Sequence, residues 1–160
     1  MGGLSARPRP LGKAGRREVV AWWAERFCVP EEVFEPYEFF ITGKGTIWAL
    51  RRSERAPRGV EGLRYEALGM VIMRKGKLGW KPTTNAIQVF GRYARKNVVE
   101  LGEAQMRAFV AGEAVRGPFP GLEEGYVVVC YRGIPLGCGL YRQGVLLSQV
   151  PKVRRRVELI

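Results

Sequence analysis

Apolar positions along the chain follow two periods, one helical and one extended. Over residues 16–27, Val19, Val20, Trp23 and Phe27 recur at spacings of three and four, which marks one face of a helix that Pro30 helps to end, with Trp22 flanking the stripe as a further core candidate. Phe39, Phe40 and Ile41 then stand on one side of Gly43-Lys44-Gly45, with Ile47, Trp48 and Leu50 on the other, predicting a β-hairpin over residues 38–51. A basic, glycine-bearing loop follows at 51–62. Residues 63–74 and 77–81 predict a second strand pair turning at Lys75-Gly76, where Gly76 tolerates positive φ and Arg74, Lys75 and Lys77 are exposed. Thr83 or Thr84 is placed to cap a helix after Pro82 whose buried stripe is Ala86, Ile87, Phe90 and Tyr93.

After a basic cluster of Arg92, Arg95 and Lys96, the pattern predicts a strand at 97–101 and a short helix at 102–111. Met106, Phe109 and Val110 turn that helix inward, and Gly112 ends it in the left-handed conformation. Beyond Gly125 the chain reads as strands at 126–131, 134–141, 145–150 and 156–160, separated by Arg132-Gly133, Gln143-Gly144 and Pro151. Short strands at this spacing argue for a small barrel, since closure removes exposed edges. Residues 1–15, rich in Gly, Pro and Arg, read as a flexible basic arm; 16–94 form a small N-terminal α+β domain and 95–160 a β-barrel domain.

Charge narrows the function. Lysine and arginine number 27 against 15 acids, for a net charge of +12, which favours a polyanionic partner, with nucleic acid ahead of membrane surfaces or acidic proteins. No apolar run approaches the roughly 18 residues of a membrane span, and residues 1–10 lack the apolar stretch of a signal peptide, so a cytoplasmic protein without a membrane partner is expected. The chain contains no histidine, which removes Ser-His and Cys-His nucleophile pairs and His-containing zinc sites. Cys28, Cys130 and Cys138 form no C-x-x-C pair, so neither a metal site nor a disulfide framework is expected. Gly43-Lys44-Gly45-Thr46 departs from a phosphate loop, with Glu38 at the first glycine's place and Gly45 at that of the Ser or Thr. Gly137-Cys138-Gly139 departs from a dinucleotide fingerprint, with Arg142 at the third glycine. No cofactor and no catalysis by the isolated chain are expected.

A strand, a short helix ending in glycine and a glycine-punctuated strand set resemble the PUA domain. More specifically, residues 124–139, EGYVVVCYRGIPLGCG, resemble a segment in the C-terminal tail of Sun-type RNA cytosine-5 methyltransferases. That tail also places a Lys-Gly-Arg-like turn and a Pro-Ser/Thr pair before a helix, similar to residues 75–84, and has a Tyr-Pro-Lys-x-x-Arg ending similar to Val150-Pro151-Lys152-Val153-Arg154-Arg155. The likeness runs from about Tyr37 onward and is strongest after Val98. The family's catalytic cysteine follows a proline; here Cys28 follows Phe27, Cys130 follows Val129 and Cys138 follows Gly137. The resemblance therefore implies a pre-PUA-like domain and a PUA pseudo-barrel without the catalytic domain. Ribosome-assembly factors of archaea and eukaryotes that join a small α+β domain to a PUA domain are similar in layout.

The PUA resemblance implies RNA binding beside the short helix and along the C-terminal strands. It points to Arg107, Gly112, Arg116, Lys152, Arg154 and Arg155, with Arg95 and Lys96 of the preceding basic cluster. Arginine suits the task because its planar fork binds phosphate bidentately and stacks on bases. Gly112, Gly137 and Gly139 serve backbone conformation or close packing, and PUA glycines also admit RNA to the main chain. Tyr126, Tyr131 and Tyr141 sit inside apolar strands, where core packing competes with base stacking. The expected function is non-catalytic binding of structured tRNA or rRNA in RNA modification or ribosome assembly. The alternatives are an RNA-binding subunit of a methyltransferase whose catalytic domain is on another chain, and an assembly factor that docks on a ribosomal protein.

Overall fold

The computed structural model describes residues 8–52 and 69–151. Residues 1–7 of the expected arm, most of the basic loop, the start of the strand expected at 63–74 and the strand expected at 156–160 lie outside these. Residues 8–15 belong to the fold instead of to an arm. Strand β1 (Arg9–Pro10) pairs antiparallel with β2 (Tyr37–Thr42), and the Leu11 amide donates to the Phe39 carbonyl at 3.0 Å. Helix α1 (Gly12–Phe27) therefore begins four residues before the apolar period does. It buries Val19, Trp23 and Phe27, with Val20 and Trp22 half-buried at the flank. Its end is closed by Cys28 in the left-handed region (φ 56°) and by the Phe27 carbonyl, which accepts from the amides of Arg95 (2.8 Å) and Lys96 (3.2 Å).

β2 and β3 (Thr46–Arg51) form the hairpin expected around Gly43-Lys44-Gly45. β4 (Met70–Gly76) and β5 (Gly79–Pro82) form the next, but they turn at Lys77-Leu78 and not at Lys75-Gly76. The positive φ falls on Gly79 (93°). A two-residue slide of the turn leaves the alternation of faces intact, so the periodic signal is the same for both registers. These five strands make one antiparallel sheet in chain order. Helix α2 (Thr84–Phe90) is capped by Thr83, whose hydroxyl oxygen accepts from the Ala86 amide at 3.1 Å. The same hydroxyl donates to the Val71 carbonyl at 2.7 Å, tying the helix to β4. Ala86, Ile87 and Phe90 are buried as expected. Tyr93 is not, because the chain tightens into a 3-10 turn at Gly91–Tyr93 and the 3.6-residue period ends.

The second sheet holds β6 (Val98–Glu100), β7 (Val115–Arg116), β8 (Gly125–Tyr131), β9 (Ile134–Arg142) and β10 (Val145–Ser148) in the order β6-β8-β9-β10-β7. It curls into a half-barrel, with β6 parallel to β8 and the remaining pairs antiparallel. The turns at Arg132-Gly133 and Gln143-Gly144 have positive φ at both residues, the mirror-image geometry that matches strand twist. Helix α3 (Glu103–Val110) lies between β6 and β7 in the chain. Its end is a Schellman motif: Gly112 (φ 90°) donates to Phe109 at 3.0 Å and Glu113 to Ala108 at 2.9 Å.

β8 joins the two sheets. Val127 and Val129 point into the barrel core with Val99, Phe109, Val115 and Leu146. Val128 and Cys130 point the other way, into the core of Trp23, Phe27, Phe34, Ile47, Ile87 and Phe90, and Cys138 of β9 joins them there. The α+β unit and the half-barrel thus share one body of apolar side chains, and α2 packs on β4 of one sheet and β9 of the other.

Gly139 is fully enclosed on the barrel side. A Cβ there would stand 2.6 Å from Leu146 Cδ1 and 2.9 Å from Val129 Cγ2. Gly139→Ala is expected to lower stability by about 1–3 kcal/mol through overpacking, measured by urea unfolding. Gly133→Asn, in open space at a positive φ (75°) that Asn tolerates, is expected to change it by less than about 1 kcal/mol.

Candidate nucleic-acid interface

On the half-barrel, the inward turn of Phe109 and Val110 leaves Arg107 on the solvent side of α3. Its guanidinium meets Glu103 one turn earlier at 3.1 Å, with both side chains mostly exposed. Such a pair contributes at most about 1 kcal/mol, so a phosphate can displace the carboxylate at small cost. On β7 the alternation that buries Val115 turns Arg116 outward. Arg116 pairs with Val145, and Val145 with Arg142 across β9–β10, so Arg116 and Arg142 lie on one outward face with Val145 between them. Arg142 was absent from the sequence-derived set, although the alternation along β9 carries the signal. α3 packs against β7 and β10, which puts Arg107 on elements adjoining this face.

Arg95 and Lys96 stand elsewhere, on the strap entering β6 at the opposite edge of the sheet from β7. Arg95 is exposed. Lys96 is committed locally: its ammonium lies 3.4 Å from Glu123 Oε1 and donates to the Glu25 carbonyl at 3.4 Å. The centre of this junction is Asn97, buried and left-handed (φ 56°). Its amide NH2 donates to the Arg26 carbonyl at 2.8 Å and to Glu123 Oε1 at 3.1 Å, while its Oδ1 accepts from the Glu123 amide at 2.8 Å. Arg26 adds bonds to the carbonyls of Tyr126 (2.7 Å) and Glu123 (2.9 Å). The Asn97 hydrogen bond first, then the Lys96 charge, holds the Glu123 carboxyl below its ordinary range. Burial holds the Arg26 guanidinium below its own.

Gly112 acts as the helix terminator described above. Lys152, Arg154 and Arg155 lie outside the described residues. Pro151, from which they continue, stands three residues beyond the end of β10 at Ser148. Of the three tyrosines, Tyr126 packs on the first core and Tyr141 stands edge-on to Phe119 at 6.2 Å, so both serve packing. Tyr131 is half-buried under the guanidinium of Arg132 at 5.2 Å. Burial pushes the Cys130 thiol up to about 11 and that of Cys138 up to about 12, so neither is a thiolate near neutral pH. Among the described residues no group of His, Cys, Asp and Glu could hold a metal ion, and no helix is long and apolar enough to cross a membrane.

This architecture is a PUA-type pseudo-barrel preceded by a small α+β unit. Residues 96–156 match the family described as Methyltransferase RsmF PUA domain, and residues 6–64 match a family of unknown function, DUF7122. Curated relatives include three proteins named Ribosomal RNA small subunit methyltransferase F. That of Aeromonas hydrophila is 31% identical over 90 residues, that of Shewanella sp. strain ANA-3 27% over 97, and that of Shewanella oneidensis 22% over 90. Each alignment covers 56% of this chain but 19–20% of the relative, so the chain spans about a fifth of the length of the proteins it matches. The chain thus resembles the PUA-bearing part of these methyltransferases.

Because the folded Glu123 carboxyl titrates below its ordinary value of 4.5, the stability it supplies is present above that value and is lost as pH falls through the folded one. The stability difference between the parent and Glu123→Gln is therefore expected to be largest near neutral pH and to shrink below about pH 4. Urea unfolding at a series of pH values checks this; a difference independent of pH would disprove it.

Proposed function

We propose that the protein binds structured RNA, tRNA or rRNA, through its PUA unit, without catalysing a reaction of its own, in the course of RNA modification or ribosome assembly. The observation that carries this reading is the PUA match over residues 96–156, in a chain with a net charge of +12. The outward cations of α3, β7 and β9 support it. Arg107, Arg116 and Arg142 would contact phosphates, and Lys152, Arg154 and Arg155 would extend the contact from Pro151. Arg95 would contribute from the opposite edge, and Lys96 only by leaving Glu123.

A second reading makes the chain the RNA-recognition subunit of an rRNA methyltransferase carried on another chain. It is favoured by the names of the matched relatives. Co-purification with a methyltransferase from native cells would distinguish the two.

Removing phosphate contacts weakens binding and flattens its salt dependence, by about 0.7 to 0.9 in the log–log slope for each lost contact. Arg116→Ala with Arg142→Ala, and separately Lys152→Ala with Arg154→Ala and Arg155→Ala, are expected to do both for total tRNA and rRNA fragments. Folding stability of the Arg116→Ala/Arg142→Ala variant should hardly change, since exposed charges contribute little. Fluorescence anisotropy between low and moderate salt provides the measurement, with Arg9→Ala and Arg17→Ala as the control. Equal losses in the control would show that overall charge, not this surface, drives binding.

A further inference from the structure

The outward face of the first sheet holds a pair of cations that the PUA unit does not account for. In the β4–β5 register Arg74 stands directly opposite Lys81. Residues so paired share a face with their Cβ atoms about 4.5–5.5 Å apart, where like charges destabilise the sheet. Among the described residues no carboxylate pairs with either. Lys81 donates instead to the neutral Gln149 Oε1 at 2.8 Å. The hairpin's one described ion pair belongs to Lys75, whose ammonium lies 3.9 Å from Glu18 and 4.6 Å above the Trp80 ring. Lys75 alternates with Arg74 and so faces the other way.

Beside the cation pair lies a groove of about 460 Å³, lined by Trp48, Val71, Arg74, Thr83, Thr84 and Pro151 among others. Its volume falls within the roughly 300–1,000 Å³ of small-molecule sites. Trp48 is half-buried, backed by Phe40 and Leu50, and its indole N–H is held by Thr42 Oγ1 at 2.8 Å, which fixes the ring. An aromatic surface, two cations without a counter-charge and a groove of this size together fit an anionic, planar ligand.

We propose that this groove is a second RNA contact, on the α+β unit, which takes one unpaired nucleotide: its phosphate between Arg74 and Lys81, its base against Trp48. The proposal rests on the RNA-binding reading above and adds the class of RNA recognised here. Paired bases are stacked inside a duplex and cannot enter a groove, whereas an unpaired base offers both faces to an aromatic side chain.

The test compares the full chain with Arg74→Gln/Lys81→Gln and with Trp48→Phe, using a ten-nucleotide RNA that cannot self-pair and a blunt RNA duplex of equal length. The charge variant is expected to bind the strand about tenfold more weakly, with a salt slope flatter by about 0.7 for each lost phosphate contact, and to bind the duplex as the parent does. Its melting temperature should equal or exceed the parent's, because the like-charge pair is gone. Trp48→Phe should still bind the strand but lose the part of the tryptophan quenching that stacking on Trp48 causes. Parent-like binding of the strand by the charge variant, or equal losses on strand and duplex, would overturn the groove while leaving the RNA reading in place. A parent protein that bound neither these RNAs nor total tRNA and rRNA fragments would overturn the RNA reading itself.

Discussion

The structure depends on β8 being buried on both faces. The run Gly125 to Tyr131 is apolar at almost every position because it has no solvent side: Val127 and Val129 complete the half-barrel, while Val128 and Cys130 complete the core around Trp23 and Phe90. Fully buried strands read as continuous apolar runs for this reason. Gly91, in the turn after α2, belongs to the same constraint: a Cβ there would stand 3.1 Å from Val128 and 3.3 Å from Ile87, a tight fit that either neighbour would have to relieve.

Polar groups are arranged to respect that shared core. At its rim, Asn97, Arg26 and Glu123 satisfy the carbonyls and amides left where α1 ends and β8 begins, without placing a bare charge inside. Among the described residues, Arg107, Arg116 and Arg142 lie instead on exposed positions of a helix and two strands, where a charge costs the fold little. The buried cysteines, by contrast, behave as small apolar side chains, as their raised thiol values require.

Much of this was legible because the signals are local. The glycine turns at Gly133 and Gly144, the Thr83 cap and the Gly112 terminator each announce their conformation within a few residues, and they delimited β8, β9, α2 and α3 closely. What escaped was set by distant partners. The β1 strand has only two residues and exists because β2 offers a free edge. The register that moved the turn to Lys77-Leu78 sets Met73 opposite Pro82, and a period of two does not distinguish it from the expected one. Lys96 looked like a free cation until the fold brought Glu123 beside it, and Arg142 acquires its company only once β10 lies between it and Arg116. The PUA resemblance pointed to the half-barrel's short helix and C-terminal strands, and the company each cation keeps there depends on these long-range neighbours.

Because both units are built on one strand, they cannot hinge about a linker. The two proposed surfaces, held at a fixed separation, would act as a gauge: once an RNA touched one, the second would be presented at high effective concentration only if the RNA's own geometry spanned the gap. Selectivity would then reside partly in the spacing of features along the RNA and not in any one contact. The shared strand, with α2 packed on both sheets and Arg26 of α1 bonded to the carbonyls of Glu123 and Tyr126, gives such a gauge its rigidity.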